Sequence, residues 1–69
     1  MKSISGKNLG KILVKYGWRL NRVKRSHHIY TKEGSDVIAV IPVHGNRDLP
    51  MGTLKGILKD IGLTENDII

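Results

Sequence analysis

The sequence predicts an α+β fold in which two amphipathic helices pack on one face of a three-stranded antiparallel sheet. Apolar residues recur at helical spacing towards each end of the chain, and three short stretches rich in β-branched and aromatic residues lie between them. Successive strands with short connections favour an antiparallel meander. Two helices can cover one face of such a sheet, so we expect the other face to stay open and to be available for function.

The first helix is predicted over residues 7–16. Its apolar stripe consists of four residues at helical spacing: Leu9, Ile12, Leu13 and Tyr16. Its polar side carries three lysines: Lys7, Lys11 and Lys15. Ser5 is a suitable N-cap, and Gly17 is a suitable glycine just beyond the C-terminus. Gly10 weakens the helix by up to about 1 kcal/mol relative to alanine, so tertiary packing has to support this helix.

The sheet is predicted from three stretches of sequence: WRLNRV, HHIYT and VIAVIP. In the first, apolar and polar residues alternate imperfectly, as they do in a half-buried strand. A turn at residues 24–26 separates the first two strands, and EGSD at residues 33–36 connects the second to the third. Trp18 begins the first strand. An aromatic residue there is more typical of the core than of a base-stacking surface.

The second helix is predicted from a second apolar set at the same spacing: Leu54, Ile57, Leu58 and Ile61. Thr53 is the candidate cap, and Gly62 ends the helix. Thr64 and Asp67 weakly resemble a capping box, which allows a final helical turn. The sequence shows no repeat, linker or low-complexity segment, so we expect residues 1–69 to form a single domain.

Size and composition limit the possible functions. A 69-residue chain buries only about 60% of its unfolded surface, which leaves little room for a deep cofactor cavity, and we expect no cofactor. The chain has no cysteine, so disulfides and thiolate metal sites are excluded. The first residues lack an apolar leader, and the run VIAVIPV is too short to span a bilayer. We therefore expect a cytoplasmic protein without a membrane partner.

The positive charge is concentrated in the first half of the chain. Residues 1–33 hold nine Lys or Arg against one acidic residue, a net charge of +8 (9 − 1), whereas residues 34–69 hold three against five, a net charge of −2 (3 − 5). Such a basic field is the footprint expected for a nucleic acid. The alternative is a solvated basic surface that aids solubility. A membrane-binding helix would carry Trp or Phe along its apolar face, and neither predicted helix does.

Two adjacent histidines, His27 and His28, are the most notable polar residues. Consecutive residues of a strand point to opposite faces of the sheet, so only one of the two shares a face with Tyr30. Composition alone does not choose between the two histidines as the functional residue. No metal site is predicted, because adjacent histidines on a strand diverge and no acidic residue lies at ligand spacing from them.

Four motifs in combination suggest a family. Gly-Trp occurs at residues 17–18, Ser-His at 26–27, Pro-x-His-Gly-Asn at 42–46 and Gly-Thr-Leu at 52–54. With these motifs in this order, the chain resembles the HicA-type toxins over about residues 8–63. These toxins are small messenger-RNA interferases of toxin–antitoxin systems.

The resemblance implies a double-stranded-RNA-binding-like fold of order αβββα, ribonuclease activity on RNA, and inhibition by a HicB-type antitoxin. It also implies that His27, directly after the serine, is catalytic and faces outward, with His28 on the core side beside Tyr30. One residue departs from the family pattern, which usually has glycine where this chain has Arg25. Glycine adopts positive φ without steric cost, so Arg25 must use another backbone geometry or accept strain.

The chemistry of RNA cleavage assigns expected roles to the residues around the Ser-His motif. Cleavage without a metal needs a base that takes the 2′-hydroxyl proton and cations that stabilise the charge on the phosphate. Imidazole suits the first task because its ordinary pKa, about 6.5, is close to neutral; we assign that task to His27. Lys24 and Arg25 are the candidates for binding phosphate. Ser26 is expected to orient the backbone or the RNA.

Two further residues are candidates for RNA binding. His44 lies in a loop, where functional groups often occur, and it either donates a proton to the leaving 5′-oxygen, contacts phosphate or fixes the loop. Lys55 lies near the start of the last helix, where related RNA-binding folds contact the RNA backbone.

Two other functions remain open: a catalytically inert RNA-binding module of the same fold, and a protein-interaction domain that docks a partner on Ile38 and Val40.

Overall fold

The structure, a computed structural model, describes residues 3–68. Its elements are, in chain order, α1 (Gly6–Lys15), β1 (Trp18–Lys24), β2 (His27–Lys32), β3 (Ile38–Pro42), α2 (Met51–Ile61) and a 3₁₀ turn (Glu65–Ile68). The strands form one sheet in the order β1-β2-β3, with both neighbouring pairs antiparallel. The predicted αβββα order and the double-stranded-RNA-binding-like fold are therefore confirmed.

Both helices pack on the same face of the sheet. Helix α1 contacts β1 and β3, and α2 contacts β3. The buried core consists of Leu9, Leu13, Trp18, Tyr30, Ala39, Ile41, Leu49, Leu54, Ile57 and Leu58. Trp18 is thus a core residue, as predicted. The side chains that point away from the helices have no layer of described residues above them, so this face of the sheet is open as expected.

The ends of the helices confirm most of the predicted caps and correct one. The Ser5 side chain accepts a hydrogen bond of 3.1 Å from the backbone N–H of Asn8, and Gly17 has φ +92° just after α1. The prediction of Thr53 as the cap of α2 is wrong: the helix begins at Met51, and its N-cap is Pro50 without a side-chain cap bond. The first residue of the apolar stripe, Leu54, lies inside the helix, so a prediction based on that stripe places the start of α2 too late.

Close packing of α1 against the sheet explains why a glycine lies inside this helix. A Cβ atom built on Gly10 would collide with the hydroxyl of Tyr30, so the helix can lie this close to the sheet only if position 10 carries no side chain. The burial that results raises the pKa of Tyr30 above its ordinary value, because the charged phenolate is poorly solvated there. Tyr30 is therefore protonated at neutral pH and is not a candidate base.

Candidate nucleic-acid interface

The Ser-His motif lies at a tight hairpin turn. Lys24 and His27 pair across β1 and β2, so Arg25 and Ser26 form a two-residue connection. Arg25 has φ +56° and is the one non-glycine residue with positive φ in the described part of the chain. The first position of such a turn often favours glycine, which matches the glycine usual in the family pattern. Arg25 therefore adopts the left-handed backbone conformation and accepts its strain.

We expect that replacing Arg25 with glycine stabilises the fold. A side chain in the left-handed region costs roughly 1–2 kcal/mol, and glycine in the unfolded chain costs about 0.5–1 kcal/mol of entropy, so the net gain is roughly 0.5–1 kcal/mol. Thermal unfolding measures it as a rise in Tm of a few degrees. Arg25→Ala is the matched control because it removes the same charge and keeps the Cβ atom. Equal Tm values for the two variants would contradict the strain at this turn.

The two adjacent histidines lie on opposite faces of the sheet. His28 pairs with Val23 and with the buried Ile41, so it lies on the helix side and is half-buried. His27 pairs with Lys24 and Pro42 on the open face and is exposed. The orientation implied by the family resemblance is confirmed.

The loop that follows β3 is attached to the hairpin turn. The backbone N–H of Val43 donates a hydrogen bond of 2.7 Å to the carbonyl of Ser26. A turn then follows, closed by a bond of 3.1 Å from the N–H of Arg47 to the carbonyl of His44. The structure therefore brings His44 to the same end of the sheet as His27. Through its carbonyl, Ser26 fixes the hairpin to this loop.

A pocket of about 410 Å³ opens at this end of the sheet. Its lining residues are Pro42, His44, Arg47, Asp48, Leu49, Pro50 and Thr53. Pro42 connects the pocket to the open face, because it both lines the pocket and pairs with His27. Arg47 is a cation that the sequence motifs do not predict as a site residue, although it directly follows the Pro-x-His-Gly-Asn motif. Lys55 is exposed on α2 and lies outside this lining.

Together, the fold and this site define a class: a small basic domain of the double-stranded-RNA-binding-like fold with an exposed histidine beside a cationic hairpin turn. A family model described as HicA toxin of bacterial toxin-antitoxin matches residues 6–63 of the chain. The chain therefore belongs to the HicA toxin family, and membership in a toxin–antitoxin family implies an antitoxin partner. Comparison with curated proteins finds no match.

Neither helix within residues 3–68 has the length and apolar character needed to cross a membrane. In the same residues, no three His, Asp or Glu side chains come together as a possible metal-binding group.

Proposed function

We propose that this protein is an mRNA interferase, an endoribonuclease toxin that cleaves RNA without a metal and uses His27 as its general base. The observation that carries the proposal is the position of His27. It is exposed on the open face and pairs directly with Lys24 at the cationic turn, on the scaffold of a toxin family. A protein that only binds RNA has no need of a histidine at this place.

The proposed reaction is an internal transfer at phosphorus. His27 takes the proton of a 2′-hydroxyl, and the 2′-oxygen forms a bond to the adjacent phosphorus while the bond from phosphorus to the 5′-oxygen breaks. The products are a 2′,3′-cyclic phosphate and a 5′-hydroxyl. The leaving 5′-oxygen needs a proton, and His44 is the candidate donor because the loop bond between Val43 and Ser26 holds it at the same end of the sheet.

Cations stabilise the negative charge that develops on the phosphate oxygens. Lys24 and Arg25 are exposed beside His27 and are proposed to bind the scissile phosphate or its neighbours. Arg47 lines the adjacent pocket and adds a third cation, partly offset by Asp48 next to it. For Lys55, which lies outside the pocket lining, we propose contact with a more distant phosphate.

RNA binding is expected to weaken with salt, and Lys24 and Arg25 are expected to account for part of that dependence. For single strands, log affinity falls with log salt by about 0.7 per phosphate neutralised. Lys24→Ala and Arg25→Ala should each lower the slope by about 0.7, measured by fluorescence anisotropy. Lys15→Ala, an exposed cation in the last turn of α1, is the control. An unchanged slope in the double variant would place the phosphate site elsewhere.

The proposed partner is a HicB-type antitoxin that covers His27. A cationic nuclease needs an inhibitor, and an acidic protein would be steered to this face by its charge. We expect a complex in which His27 is buried and RNA is not cut. A crystal structure of the complex, together with a cleavage assay, tests both parts. A bound antitoxin that leaves His27 exposed and the nuclease active would exclude inhibition by occlusion.

A further inference from the structure

An irregularity in β1 changes which of its side chains lie on the open face. Arg19 pairs with Thr31 and Arg22 pairs with Ile29, and the register shifts between Leu20 and Arg22, so Asn21 is an extra residue in the strand. In a regular strand, residues three positions apart lie on opposite faces. The bulge at Asn21 instead brings the two arginines to the same face.

All three cations in β1 therefore lie on the face that carries His27. Directly paired residues of antiparallel strands share a face, and Lys24 pairs with His27. Arg19, Arg22 and Lys24 are all exposed. They form a row along the edge strand, which we call the β1 cation row, and His27 lies beside one end of it.

An apolar surface lies beside the β1 cation row. The open face carries nine paired residues: Arg19, Arg22, Lys24, His27, Ile29, Thr31, Ile38, Val40 and Pro42. None of them is acidic. Side chains that a monomer would normally bury are exposed here, since Ile38 is 60% and Val40 44% accessible. The face thus combines one line of positive charge with one apolar strip.

We propose that this face is the binding track for the substrate, and that the substrate is single-stranded RNA lying along β1. Phosphates contact the β1 cation row, and the bases lie over Ile29, Val40 and Ile38. Alternate residues of a strand are about 6.7 Å apart, which is on the scale of one nucleotide step in an extended chain. A duplex keeps its bases stacked inside, so it gains nothing from a flat apolar strip. This inference rests on the proposed function, because it extends the same site.

The test measures binding separately from cleavage. In a His27→Ala background, fluorescence anisotropy gives the affinity for a single-stranded RNA oligonucleotide between 50 and 200 mM salt, a range over which phosphate contacts change affinity strongly. Arg19→Gln and Arg22→Gln should each lower the salt slope by about 0.7. Val40→Thr, which keeps the shape of the side chain, should lower affinity at every salt concentration without changing the slope. Lys15→Gln, on the helix side of the sheet, should change neither.

Each of three outcomes would overturn the binding track. The slope of log affinity against log salt could be the same in the Arg19→Gln and Arg22→Gln variants as in the His27→Ala protein. A duplex of equal charge could bind more tightly than the single strand. The same variants could keep RNA affinity and lose antitoxin binding, in which case the face is a protein interface. A wild-type protein that binds RNA through the β1 cation row without cutting it would instead refute the proposed nuclease activity. The proposed binding track would still hold.

Discussion

Replacing His27 with alanine is expected to lower the rate of RNA cleavage by about 10²–10⁴-fold, the usual contribution of a well-placed general base. The fold should be unaffected, because the His27 side chain is exposed and contributes nothing to the buried core. Cleavage of a labelled RNA under single-turnover conditions measures the loss, and thermal unfolding checks the fold. His27→Gln keeps a polar side chain of similar length and should be equally inactive.

His28→Ala is the matched control for this experiment. His28 is half-buried on the helix side, so its removal should lower stability before it affects the chemistry. A His27→Ala protein that cuts RNA as fast as the wild type would show that His27 is not the base. An inactive His28→Ala protein with an unchanged Tm would move the base to His28. A wild type that binds RNA and never cuts it would favour the inert binding module.

Replacing Gly10 with alanine is expected to destabilise the fold, although alanine is the better helix former. The gain in helix propensity is up to about 1 kcal/mol. Against it, the new Cβ would collide with the hydroxyl of the buried Tyr30, and overpacking of this kind typically costs about 1–3 kcal/mol. A net loss of about 1–2 kcal/mol lowers Tm by roughly 5–15 °C in a domain of this size, which calorimetry would detect.

Two further variants separate the collision from the helix propensity. Adding Tyr30→Phe to Gly10→Ala removes the hydroxyl that the Cβ meets, so the double variant should recover part of the lost Tm. Gly56→Ala, in α2, meets nothing within 4 Å and should raise Tm by the propensity gain alone. A stabilised Gly10→Ala protein would show that α1 does not depend on close contact with Tyr30.

The sequence contained enough information to predict the architecture. Helical spacing in two segments and three short strand-like stretches gave the αβββα order, and local chemistry gave the caps at Ser5, Gly17 and Gly62. The start of α2 was missed because apolar spacing reports the buried stripe and not the first turn, where Pro50 precedes residues that do not enter the core. The sequence shows that Gly10 weakens α1, but it does not show that Tyr30, which is distant in sequence, packs against this glycine.

Less of the candidate site could be predicted. Four of the site residues are contiguous in sequence and could be predicted from one linear motif: Lys24, Arg25, Ser26 and His27. Arg19 and Arg22 could not be predicted as one group, because strict alternation places them on opposite faces and only the bulge at Asn21 brings them together. Arg47 lines the pocket because of the course that the loop takes after β3. A linear motif carries no information about the course of a loop.

The chemical ends of the cleavage products show most directly whether a histidine drives attack by the 2′-hydroxyl. Purified protein is incubated with RNA in excess EDTA, and the product ends are identified by mass spectrometry beside a His27→Ala control. We expect fragments with 2′,3′-cyclic phosphate and 5′-hydroxyl ends from the wild type, none from the control, and no cleavage where the scissile nucleotide is 2′-deoxy. Fragments with 3′-hydroxyl and 5′-phosphate ends, or cleavage that stops in EDTA and returns with a divalent ion, would contradict it.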